Sequence, residues 1–152
     1  MPSRQDVYCK FGECAELAQR LETHLGTVLL ANGIAESDLS QALHREEAMA
    51  SVERVNRQTL GQLINQLPSE VVPDSLKASL TAALRTRNEL NHSFFRKHNL
   101  RMNSETGRER MLQDLQFMHD RILGAYIIVM HLSGLEPSSS LSLQPPDTHL
   151  PI

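Results

Sequence analysis

The stretch from Arg85 to Arg101, RTRNELNHSFFRKHNLR, gathers the side chains best able to do chemistry. Arg87, Asn88 and His92 follow one another as Arg-Asn-x-x-x-His. Asn88 and His92 stand four apart, so on a helix they can face one point in space. Arg87 brings a planar guanidinium that never loses its proton, suited to phosphate or carboxylate. Around them Arg96, Lys97, Arg101, Arg108 and Arg110 form a set of cations able to line an RNA backbone. Phe94 and Phe95 are able to stack on bases, although in a chain with four Phe and no Trp such residues more commonly build the core. Glu89-x-x-His92 also matches one unit of a di-iron carboxylate bundle. That chemistry needs a second such unit, and His44-Arg45-Glu46-Glu47 offers only the reverse order. No cofactor or metal is expected on this basis.

The background against which these residues stand is plain. The chain has 152 residues, 40% apolar and 22% charged, enough for one ordinary domain with a real core. A formal net charge of −3 gives no overall field to recruit nucleic acid or an anionic membrane. The charge is uneven, however: seven of the fifteen basic residues lie between Arg85 and Arg110. Cys9 and Cys14 are five apart and complete no zinc pattern; Cys14 reads as a small buried hydrophobe. The segment MPSRQDVYCKFGE has no continuous apolar run and is not expected to be a secretory signal. ILGAYIIVMHL, the most apolar stretch, is shorter than the about 20 residues needed to cross a bilayer. A cytoplasmic protein with no membrane association is the expectation.

The elements that must carry the candidate residues are helices. Val7, Phe11, Cys14, Ala18, Leu21, Leu25 and Val28 form a seam at three-and-four spacing, predicted to end at Asn32-Gly33. A weaker helix follows from Ser37 through Leu39, Leu43 and Met49, and AMASVERVNRQ is ambiguous in phase. Thr59 is a predicted N-cap for a short helix through Leu60, Leu63, Ile64 and Leu67, stopped by Pro68. Pro73-Asp74-Ser75 opens the helix that bears Arg87, and a break follows around Asn99 to Ser104. Thr106 and Glu109 make a capping box for a last helix with Met111, Leu115, Met118, Ile122, Ala125, Val129 and Leu132 as its seam, ended by Gly134. No strand pattern or internal repeat is present. The predicted fold is all-α: an antiparallel four-helix up-down bundle over residues 1–135, with a disordered Pro/Ser-rich tail over 136–152.

On the third long helix, with Leu76 as zero, Leu80, Ala83, Leu84, Leu90 and Phe94 fall within about 80° of it. Arg87 falls at roughly 20°, inside this apolar stripe, whereas Asn88, His92 and Phe95 lie on one flank at about 100–160°. On this helix, and within this basic concentration, Arg87-Asn88-Glu89-Leu90-Asn91-His92 resembles the R-x4-6-H signature of the HEPN superfamily. The string RNELNHSFF is also similar to uncharacterised bacterial proteins with an RNxLxHxFF-like core. The resemblance covers Leu76 to Val129; the first seventy residues match only in being helical.

The resemblance implies a small helical bundle, commonly a homodimer, and a metal-independent endoribonuclease of toxin–antitoxin or phage-defence type. In such an enzyme the RNA 2′-OH attacks the adjacent phosphate. His92 would be the acid/base, Arg87 the clamp on the phosphoryl oxygens, and Asn88 would orient phosphate or imidazole. RNA and an antitoxin or other protein are the implied partners. Arg87 and His92 lie about 140° apart on an ideal helix, so both reach one phosphate only across a two-fold dimer or through a helix break near Asn91. The alternative is a non-catalytic interaction module with a HEPN-like fold. In that case Arg87 pairs with a carboxylate such as Glu13 or Glu16, and His92 points elsewhere.

Overall fold

In the computed structural model, residues 1–36, 49, 60–65, 67, 69–70 and 72–134 are described. Among them the protein is helical, without strands. Helix α1 spans Arg4–Glu36, α2 Leu60–Asn65, α3 Asp74–His98 and α4 Glu105–Leu132, with a 3-10 turn at Asn99–Asn103 between the last two. No helix among the described residues is long and apolar enough to cross a membrane. The helix predicted from Ser37, the Thr59 cap and the tail after Glu136 lie outside the described residues.

The two seams read from the sequence are the core. Val7, Cys14, Ala18, Leu21, Leu25 and Val28 of α1 are buried, as are Met111, Leu115, Met118, Ile122, Ala125 and Val129 of α4. Phe11 and Leu132, at the edges of these seams, are half-buried against the core. From α3, Leu80, Ala83, Leu90 and Phe94 close the third side. Cys14 is shut off from solvent, its Sγ 3.4 Å from the Leu115 carbonyl oxygen, and burial pushes the thiol up to about 11. It acts as the small hydrophobe its position suggests.

The contacts also set direction. Pro2 meets Arg108 and His24 meets the Tyr126 ring edge to face, so α1 and α4 run parallel. Phe11 meets Phe95 while Glu22 meets Arg87, so α3 is antiparallel to α1. The three long helices are therefore up, down and up. Short α2 lies on α3, where Gly61 faces Leu84.

Two boundaries differ from expectation. Helix α1 continues through Asn32-Gly33 to Glu36. A glycine inside a helix costs about 1 kcal/mol relative to alanine, too little to stop a long helix that is packed elsewhere. At the other end of the molecule, the cap of α4 is Ser104, not Thr106. Its Oγ accepts from the Gly107 N–H at 3.1 Å, and its extended backbone turns the chain out of the 3-10 turn. The T-x-x-E pattern lies two residues too late and within the helix.

The corner between α3 and α4 is tight because residue 107 lacks a side chain. A Cβ there would stand 2.1 Å from the Arg101 carbonyl oxygen. Gly107→Ala is therefore expected to destabilise by about 2 kcal/mol, the overlap outweighing alanine's helix preference. Ser104→Ala should cost about 1 kcal/mol and Thr106→Ala only a few tenths. Urea unfolding midpoints of the three variants check this order.

Candidate functional site

Helix α3 carries the RNELNHSFF string without interruption, since it runs continuously from Asp74 to His98. The break near Asn91 that would have turned Arg87 and His92 toward each other is absent. Leu90 and Phe94 hold the string's apolar face in the core, and the rest of the string is placed by that anchoring.

Arg87 lies along the stripe and sends its guanidinium to α1. Its Nη2 is paired with Glu22 Oε1, an atom itself shielded from solvent. Its Nη1 donates to Asn88 Oδ1 at 2.9 Å. The side chains of Arg87 and Glu22 are 27% and 30% exposed, so the pair is half-buried. The partner is neither Glu13 nor Glu16: Glu13 accepts from Lys10 and Glu16 from Arg20. Asn88 thus orients the arginine that precedes it. His92 faces solvent and makes no hydrogen bond or ion pair among the described residues. Within one chain, then, Arg87 and His92 do not converge on a common point. Arg87 would have to release Glu22 before gripping a phosphate.

The five cations expected to track RNA divide by what they already hold. Lys97 Nζ pairs with Glu89 at 2.6 Å, which also occupies the carboxylate of the E-x-x-H unit. Arg101 Nη1 lies 3.0 Å from His98 Nδ1. Arg108 donates through Nε to the Pro2 carbonyl at 2.7 Å and through Nη1 to the Met102 carbonyl at 3.0 Å, stitching the start of the chain to the 3-10 turn. Arg110 is exposed and loosely paired with Asp114 at 3.8 Å. Arg96 touches only Ser93 Oγ, at 3.3 Å. Arg101 and Arg108 are thus tied into the corner, Lys97 is held only by an exposed pair on its own helix, and Arg96 and Arg110 are the freer ones. Among the described residues no three His, Cys, Asp or Glu side chains gather as a metal site.

The paired phenylalanines separate. Phe94 is buried against Phe11 and His98, with ring centroids 5.8 and 4.5 Å away. Phe95, 40% exposed, packs on Phe11 at 4.9 Å and on Tyr8 at 5.9 Å. Tyr8 is itself 57% exposed. An aromatic seam between α1 and α3 therefore reaches the surface on the flank that also bears Asn88 and His92.

Sequence reasoning did not single out Glu22, Tyr8 or His98. His98 is the one that had a usable signal. It falls about 40° from Leu76 on the helical wheel, within the stripe, and its side chain is fully enclosed.

A half-buried ion pair of this kind should be worth more than one on the surface. In a double-mutant cycle of Arg87→Met and Glu22→Gln, the coupling energy is expected at about 1–2 kcal/mol. The same cycle on the exposed Arg20–Glu16 pair should give about 0.3–0.5 kcal/mol. Urea unfolding of the two cycles makes the comparison. In comparison with known proteins, no family model, no curated protein and no solved structure matches the chain.

Proposed function

We propose that this chain is a non-catalytic helical protein-interaction module, its full architecture a four-helix bundle, acting in the cytoplasm. The observation that carries this reading is the occupation of Arg87. Its guanidinium is held by Glu22 and Asn88 on the α1 side of an unbroken helix, while His92 faces solvent on another flank. A carboxylate already sits where a phosphate would be gripped. The engagement of Arg101 and Arg108 within the fold supports the same reading. The docking surface for a protein partner is centred on Tyr8 and Phe95, which are exposed and adjacent. Aromatic side chains of this kind supply large contact area at low cost in rotamer freedom.

A second reading is favoured by one observation: Asn88 and His92 are both exposed and one turn apart. A homodimer that joined this flank of two chains would let the imidazole of one copy approach the arginine of the other. The HEPN-like motif would then cut RNA, without metal, by attack of the 2′-OH, as a toxin or a phage-defence nuclease does. An antitoxin or other restraining protein would be its natural partner.

Incubation of a mixed single-stranded RNA with the protein in EDTA separates the two. The interaction module should leave the RNA intact, with wild type and His92→Ala indistinguishable over a range of RNAs. The ribonuclease should leave 2′,3′-cyclic phosphate ends, and a folded His92→Ala should cut at least about 10²-fold more slowly. Circular dichroism of the variant guards against loss of fold.

A further inference from the structure

His98 sits at the corner where α3 ends, the 3-10 turn begins and α4 packs against both. Its side chain is fully enclosed, with the ring 4.5 Å from that of Phe94. Both ring nitrogens face charged groups. Nδ1 lies 3.0 Å from Arg101 Nη1, and Nε2 lies 3.3 Å from Asp114 Oδ2. A guanidinium has hydrogens to donate and nothing to accept with, so Nδ1 must be the acceptor. The ring is then neutral, with its proton on Nε2, which lies near Asp114 but makes no hydrogen bond to it.

That arrangement cannot survive protonation unchanged. A proton added at Nδ1 would face an N–H of Arg101 across 3.0 Å, donor against donor and cation against cation. Asp114 offsets part of this charge, but it also meets Arg110. Lys97 on α3 adds to the repulsion, and Glu89 on the same helix opposes it. The enclosure of the ring is the largest influence and works against the charged form, with Asp114 the main opposing one, so the group is held below its ordinary value.

Arg101 belongs to the 3-10 turn, and that turn holds more than itself. Asn103 accepts from Arg4 Nη2 at 2.9 Å, and the Met102 carbonyl accepts from Arg108, which also grips Pro2. The first turn of α1 is thereby fastened to the corner. We propose that His98 is an acid-triggered latch: its protonation drives Arg101 away, opens the 99–103 turn, and frees the start of α1 beside Tyr8. The inference does not depend on whether the chain binds a protein or cuts RNA.

The direction with pH follows from linkage. In the opened corner His98 is solvated, with an ordinary pKa of about 6.5. The closed corner binds fewer protons than the open one between that value and the lower value of the enclosed ring. The stability of the closed form is fully present above about pH 6.5 and declines as pH falls toward the enclosed ring's own value. For one proton the opening equilibrium rises by up to about tenfold per pH unit within that window.

Hydrogen exchange of the full chain by NMR, from pH 7.5 to 5.0, tests this. The useful probes are the amides of Ser104 and Arg108, which bond to the Arg101 and Ser104 carbonyls. After correction for intrinsic exchange rates, their protection should fall below about pH 6.5 with the slope given above. In His98→Gln, whose amide oxygen can still accept from Arg101, protection should stay level over the same range. In Asp114→Asn, where the charge favouring the protonated ring is gone, the fall should continue to lower pH and go deeper. Wild-type protection that does not change with pH, or that falls equally in His98→Gln, would overturn the latch. Should His98→Gln fail to fold, an Asp114→Asn profile identical to wild type would overturn it as well.

Discussion

A guanidinium placed among apolar side chains has to find an anion, and the one it finds decides how its helix is turned. Arg87 reaches Glu22 across the α1–α3 interface, and with Leu90 and Phe94 in the core this fixes the rotation of α3. Once that rotation is set, Asn88, His92 and Phe95 have no freedom to face inward. They become surface because the opposite flank is tied down. Moving the ion pair by one turn of α1 would shift α3 along its axis and pull Phe95 away from Tyr8 and Phe11.

The same logic explains which parts of the molecule were legible in the sequence. The seams of α1 and α4 were read residue by residue, because burial at three-and-four spacing is a local property of a helix. The interruption by Arg87 was legible too, and a carboxylate partner was one of the outcomes it allowed. Which carboxylate was not. Glu13, Glu16 and Glu22 all belong to α1, and the choice depends on the axial register of two antiparallel helices, which no pattern within either helix encodes. The cap of α4 was misplaced for a related reason: Ser104 and Thr106 are both competent caps, and the close approach of Arg101 to Gly107 decides between them.

His98 was overlooked for a different reason. A lone histidine on an apolar stripe has no companion at ligand spacing to mark it. The wheel that placed Arg87 also places His98 in the stripe, one turn beyond Phe94. Its companions are Arg101 and Asp114, drawn from separate elements that meet only after the corner has folded. The basic concentration carried a similar ambiguity. Arginines that fasten a turn and arginines that await a polyanion have the same composition, and only their partners distinguish them.

The up-down-up arrangement of the three long helices has an electrostatic consequence of its own. Each helix has a macrodipole equivalent to about half an elementary charge at either end. Among these three, one antiparallel neighbour cancels one dipole and leaves the other standing. The end of the molecule that holds the 3-10 turn receives two helix N-termini against one C-terminus. Acidic residues occupy the first turns of α1 and α4, Asp6 and Glu105, while Arg96 and Lys97 occupy the last turn of α3. Those charges balance the individual helix ends. The residual dipole of the three helices runs along their common axis, and its field is felt within about a turn of the helix ends.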